Sequence, residues 1–147
     1  MRWRLIDKVI QLEAWESACG IKAVSFEEYA LREPFGREGT LPETMAMESC
    51  VELTRWLVAH SSDFELTCFL QEVSGFSFRH EAGMGDVLDL GVAVIDRDEA
   101  ILTAECTIAV QEREIATGTI RVCLVPMAES FDVEWMRGRW CDLYATA

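Results

Sequence analysis

Apolar positions recur at helical spacing over residues 40 to 60, TLPETMAMESCVELTRWLVAH. Ala46, Cys50, Leu53 and Leu57 form one row and Met47, Val51, Thr54 and Val58 a second; with Trp56 they leave only Glu48, Glu52 and Arg55 as a polar stripe. This spacing predicts one long, mostly buried helix. Thr40 with Glu43 three residues on has the form of a capping box, and Pro42 falls in the first turn, where its missing N–H does no harm. About twenty residues at 1.5 Å each give a rod of roughly 30 Å, long enough for a sheet to wrap. The three charges argue against a membrane span.

Elsewhere the pattern is that of strands. Residues 3 to 10 form a short apolar segment, a first strand or a turn of helix, and residues 15 to 26 alternate as a strand with Gly20 a candidate bulge. The charged segment around Pro34, Gly36 and Gly39 is a connection that delivers the chain to the helix. After a stop at Ser61, Ser62 and Asp63, strands are predicted from Phe64 to Arg79 with a kink at Gly75, then from Val87 to Ile95 after the turn Gly83-Met84-Gly85-Asp86. Ala100 to Gln111 places Leu102, Ala104, Cys106, Ile108 and Val110 on one face. Ile115 to Val125 repeats this with Ala116, Gly118, Ile120, Val122 and Leu124, so the two form an antiparallel hairpin turned by Glu112-Arg113-Glu114. Small residues Ala104, Ala116 and Gly118 on that face would let a bulky helix approach closely. Beyond Pro126, Ser130, Asp132 and Glu134 mark the start of a helix whose Phe131, Trp135 and Trp140 pack on the body. The architecture is α+β: an antiparallel sheet curled around one long central helix, residues 1–126, with a C-terminal extension over residues 127–147 packing on the same domain.

Composition narrows the function classes. A chain of 147 residues, half of them hydrophobic, suits one compact domain. The formal net charge of −13 disfavours a nucleic-acid or anionic-membrane partner unless the arginines gather on one face. Asp7 and Glu13 interrupt the N-terminal apolar run, so no signal peptide is recognised and a cytoplasmic location is expected. The six cysteines show no CxxC or metal-like spacing and are expected to be buried hydrophobes, and the two histidines, His60 and His80, have no paired ligand nearby. No metal and no cofactor are expected.

Several strings, in order, resemble the 3-hydroxyacyl-acyl-carrier-protein dehydratases of fatty acid synthesis, which have the hot-dog fold. Trp3 to Ile10 is similar to the family's FLLVDRVLEI-type opening, Ile21 to Ser25 to its IKNVT strand, and Glu33-Pro34-Phe35 to the start of its EPFFxGHFPG loop. The six-residue spacing from Pro42 to Glu48 reproduces Pro-Gly-x-x-x-x-Glu, and Phe78-Arg79-His80 with Gly85-Asp86 resembles FKRxxxxGD. The likeness covers roughly residues 3 to 125. It departs at one point: where the family's loop carries a catalytic histidine, Gly36-Arg37-Glu38-Gly39-Thr40 has none.

The resemblance implies acyl thioesters, on acyl carrier protein or coenzyme A, as ligands. It implies a homodimer joined edge to edge with the site at the subunit boundary, or a heterodimer with a homologue. It also implies a catalytic role for Glu48, with Arg37, Gly39, Thr40, Phe78 and Arg79 against the substrate. Dehydration of a 3-hydroxyacyl thioester needs a base, an acid for the leaving hydroxyl and donors for the enolate-like oxygen. The chain retains a helix N-terminus and Glu48 but lacks the histidine, and loss of one positioned acid–base group costs on the order of 10²–10⁴ in rate. Three functions follow: a dehydratase-like lyase, a non-catalytic acyl-binding or assembly subunit, and a thioesterase in which Glu48 directs water. Each polar candidate has a plainer reading beside it. Glu48, Glu52 and Arg55 also form an ordinary solvated stripe, Arg79 and His80 can be exposed strand-end charges, and Phe69, Phe76, Phe78 and Trp56 can be core rather than the lining of an acyl tunnel.

Overall fold

The computed structural model describes residues 5–25 and 40–144. Six antiparallel strands form one sheet, β1 (Lys8–Glu13), β2 (Ser17–Ala23), β3 (Leu66–Phe78), β4 (Val87–Arg97), β5 (Ile101–Val110) and β6 (Arg113–Pro126), in the spatial order β1-β2-β4-β5-β6-β3. Helix α1 (Glu43–Ser61) connects β2 to β3, and helix α2 (Val133–Leu143) follows β6 after a 3-10 turn at Met127–Glu129. The α1 helix packs against β1, β2, β3, β4 and β5, which is the expected central helix wrapped by a sheet.

Side-chain alternation decides which face of the sheet turns inward. Leu102, Ala104, Cys106 and Ile108 of β5 and Ala116, Ile120 and Val122 of β6 are buried, and so are Ala46, Cys50, Leu53 and Leu57 of α1. Burying each of the larger aliphatic side chains contributes about 1.5–3 kcal/mol. The sheet curls because extra residues interrupt its ladders. Ile10 is inserted between the Val9↔Gly20 and Gln11↔Cys19 pairs. In β3, Gly75 and Phe76 together oppose the single residue Gly118. Each insertion bends its strand and increases the local twist.

Several expectations are corrected. The bulge opposite Gly20 lies on the partner strand, and Gly20 is needed for another reason: a Cβ there would stand 2.9 Å from the Lys8 carbonyl oxygen. Gly118 does not make room for the helix. A Cβ at that position would fall 2.1 Å from Cδ2 of Phe76, so the neighbouring strand's ring takes the space that the missing side chain leaves. The β5–β6 turn is tighter than expected, two residues long, with Gln111 and Glu112 at φ +49° and +67° in the left-handed conformation that such hairpins demand. Cys50, Cys68 and Cys106 are buried, but Cys19 and Cys141 are exposed, so only part of the cysteine set serves the core. Burial pushes the Cys68 thiol up to about 12, and a contact with Cys106 together with burial raises that of Cys50, so both are poor nucleophiles.

The tail helix starts as expected. Asp132 is its N-cap, with Oδ1 accepting the Trp135 N–H at 3.1 Å. Trp140 packs inward, 5.9 Å from the Trp56 ring and 5.0 Å from His60, and Arg137 reaches the Asp63 carboxylate at 3.1 Å. Trp135, expected to pack on the body, is 57% exposed.

Candidate functional site

The entrance to α1 is built by the Gly83–Asp86 turn. The Gly83 N–H donates to Asp86 Oδ2 at 2.7 Å, the Val24 N–H to the Asp86 carbonyl at 2.9 Å, and the Leu41 N–H to the Ala82 carbonyl at 2.9 Å. This one turn therefore ties the end of β2, the start of α1 and the start of β4 together. Gly85 adopts φ +92°, which favours glycine over any residue with a Cβ. The capping box is not formed. Thr40 lies in a bridge with Gly83, and the N-cap is Pro42, whose own side chain makes no capping hydrogen bond. Pro42 is already held extended by its ring and leaves its carbonyl to accept the Met45 and Ala46 N–H groups.

Glu48 stands five residues into α1, on its exposed face with Thr44. Phe78 lies on the other side of the helix. It lines a tight cleft with Leu41, Ala46, His80 and Ile115. At about 100° per residue, Glu48 is rotated roughly 200° from Ala46 around the helix axis. The cleft holds only about 10 Å³, close to the room one water needs and far too little for an acyl chain. Arg79 is exposed and paired with Glu114 at 2.9 Å, and His80 is hydrogen-bonded to the Arg113 guanidinium at 2.7 Å. Arg37 and Gly39 lie outside the described residues. Within one chain, then, Thr40 and Phe78 come near the same end of α1, while Glu48 faces away from them.

The aromatic set does not converge on a tunnel. Trp56 is buried against Trp140, Phe76 stacks on Phe78 at 5.8 Å, and Phe69 sits on the outer part of β3 with Phe131 6.3 Å away.

A larger cleft was not anticipated from the sequence. It offers about 290 Å³, open to solvent on one side, between the half-buried Glu52–Arg55 stretch of α1 and the tail, one helical turn beyond Glu48, with Glu52, Arg55 and Trp56 on one wall and Phe131, Trp135 and Arg139 on the other. Its walls come from segments about 75 residues apart, so no local spacing announces it. The missed signal was the polar stripe itself: Glu52 and Arg55 pair at 2.6 Å, and Arg55 Nε donates to the Cys68 carbonyl at 3.1 Å. A second surprise is Lys22, only 1% exposed on β2. Among the described residues no group of histidine, cysteine and carboxylate side chains could hold a metal, and no helix is long and apolar enough to cross a membrane.

The fold is that of the hot-dog proteins. It superposes on a hot-dog-like protein from Thermanaerovibrio acidaminovorans with a TM-score of 0.68 at 14% identity, covering 86% of this chain and 93% of that one. A coenzyme A complex of a hypothetical thioesterase protein from Streptococcus pneumoniae gives 0.64 at 12% identity, covering 81% and 85%. No family model matches the chain. Two relatives are both 3-hydroxyacyl-[acyl-carrier-protein] dehydratase FabZ. That of Dinoroseobacter shibae is 33% identical over 91 residues, 60% of this chain and 56% of the relative. That of Rickettsia conorii is 30% identical over 115 residues, 77% of this chain and 79% of the relative. The chain thus spans little more than half of the first relative's length and about four fifths of the second's, and it belongs to the FabZ dehydratase family.

Proposed function

We propose that the protein binds acyl groups presented as thioesters, on an acyl carrier protein or coenzyme A, at the open N-terminal half of α1, and that Glu48 is the carboxylate that meets the reacting carbons. The observation that carries this reading is the position of Glu48 in a FabZ-family chain: exposed, about 8 Å along the axis from a helix start whose N-cap is Pro42. A thioester carbonyl oxygen there would meet N–H groups at the positive end of the helix dipole.

Exposure of Glu48 in the single chain is compatible with this role only if something covers it. A second copy is the natural cover. Strand β3 pairs with β6 on one side, and Phe69 and Leu70 on it are each 39% exposed. An edge strand carrying exposed apolar side chains favours pairing with another chain. Edge-to-edge pairing, with itself or with a homologue, would bring Phe78 and Arg79 of one chain toward Glu48 of the other.

Dehydration needs a proton donor to replace the absent loop histidine, so we rank a dehydratase-like protein of low or no turnover first and thioester hydrolysis directed by Glu48 second. The likeness to a thioesterase-like fold is the observation that favours the second. Purified protein is to be incubated with 3-hydroxyacyl and saturated acyl thioesters, following loss of water and release of thiol. Dehydration lost in Glu48→Gln supports the lyase, and thiol release lost in the same variant supports the hydrolase. Acyl binding without turnover supports the assembly subunit. Absence of both turnover and acyl binding would discard the whole proposal.

A further inference from the structure

We propose that the cleft between α1 and α2 is a binding site for a small apolar molecule with a single carboxylate head, the chemistry of a free medium-chain acid. The inference stands on the cleft's own charge and shape and is separate from the thioester reading of Glu48.

The walls sort into two kinds. Trp56, Trp135 and Phe131, with aliphatic Met136 and Leu143, supply the apolar surface. The charged groups are one acid, Glu52, and two guanidinium groups, Arg55 and Arg139. Glu52 is already neutralised by Arg55 at 2.6 Å, and Arg55 also donates to a backbone carbonyl. Arg139 has no acidic partner among the described residues; its recorded contact is with the Trp135 ring, 6.0 Å from the centroid. The cleft thus carries one uncompensated positive charge in a chain whose formal net charge is −13. An anion entering here exchanges the repulsion of the acidic surface for a guanidinium held at an apolar wall, where a charge-assisted hydrogen bond is strongest. A neutral ligand gains at most an ordinary hydrogen bond from Arg139, and a cationic one is repelled by it.

Size limits the ligand as charge does. At roughly 30 Å³ per water-sized group, 290 Å³ holds about ten heavy atoms. That matches octanoate or a small aryl carboxylate and lies at the small end of ligand pockets, which run from about 300 Å³.

The test is a titration of the full-length protein with octanoate, 1-octanol and octylammonium, read by tryptophan fluorescence, since Trp56 and Trp135 line the cleft. Octanoate is expected to give a saturable change, with octanol about tenfold weaker and octylammonium weaker still. Arg139→Gln should weaken octanoate about tenfold and leave octanol within about twofold, with Arg139→Lys recovering part of the loss. Met136→Trp, which fills the cleft from α2, should abolish binding of both, and its melting curve shows whether that variant folds. Equal affinity for octanoate and octanol, an unaltered octanoate affinity in Arg139→Gln, or no saturable change at all would each overturn the proposal. So would a signal that follows self-association in sedimentation, because a second copy would then be the occupant.

Discussion

The two halves of α1 are made from the same kind of sequence and are treated in opposite ways. Toward its C-terminus the helix is covered by the tail, although His60 stays exposed: Trp56 meets Trp140, His60 lies against Trp140 and 6.4 Å from the Tyr144 ring, and Arg137 of the tail grips Asp63 just beyond the last turn. Toward its N-terminus, Pro42 caps without a side chain and Thr44 and Glu48 face outward. Apolar burial by the tail anchors one end of the rod, while Thr44 and Glu48 near the other end stay exposed. The 290 Å³ cleft lies at the border, where the cover begins.

The contrast can be broken most directly at Trp140, 9% exposed and central to the seal. Trp140→Ala is expected to destabilise by about 3–5 kcal/mol, the range for a buried aromatic truncation, measured by urea denaturation. Glu48→Gln should stay within about 0.5 kcal/mol, as an exposed change does. Comparable losses in the two variants would mean that the open end also carries stability and that the division fails.

A smaller effect is expected beside the open end. Gly118→Ala places a methyl group against Phe76, whose ring stacks on Phe78 near the first turns of α1. The variant should cost about 1–3 kcal/mol. In the Phe76→Ala background, the same substitution should cost distinctly less, because the clash is gone. Additive losses in this double-mutant cycle would show that the ring does not occupy the glycine's space.

A smaller loss than in Trp140→Ala or Gly118→Ala belongs to the outermost contact of the sealed end. Asp63 and Arg137 have side chains 86% and 41% exposed, so Arg137→Ala should change stability by no more than about 1 kcal/mol, and by less in high salt. A larger loss would point to the guanidinium's position over Phe64, 4.8 Å from the ring centroid, as the dominant contact.

Much of the fold was legible because it is local. The 3.6-residue rows of α1, the period-two faces of β5 and β6, the Gly83–Asp86 turn and the Asp132 cap each depend on residues a few positions apart. The same locality misled at Thr40, whose spacing to Glu43 suits a cap while its backbone is drawn into a bridge with Gly83, 43 residues away. It also misled at Gly118, where the deciding neighbour is on another strand, and at Trp135, which borders the cleft between α1 and the tail and stays 57% exposed. Of the candidate site, the sequence singled out Glu48 and Phe78 but could not say that they stand on opposite sides of α1.

Sequence alone determined the helix, the strands that follow it, their inward faces and the family strings, since each is set by side-chain periodicity or short-range turn chemistry; the first strand, left open between strand and helix over residues 3 to 10, lies at Lys8–Glu13. Only the tertiary structure decided the strand order, the bulges that curl the sheet and the cleft closed by the tail. These arise when residues far apart in the chain compete for the same space, and that competition leaves no mark in local spacing.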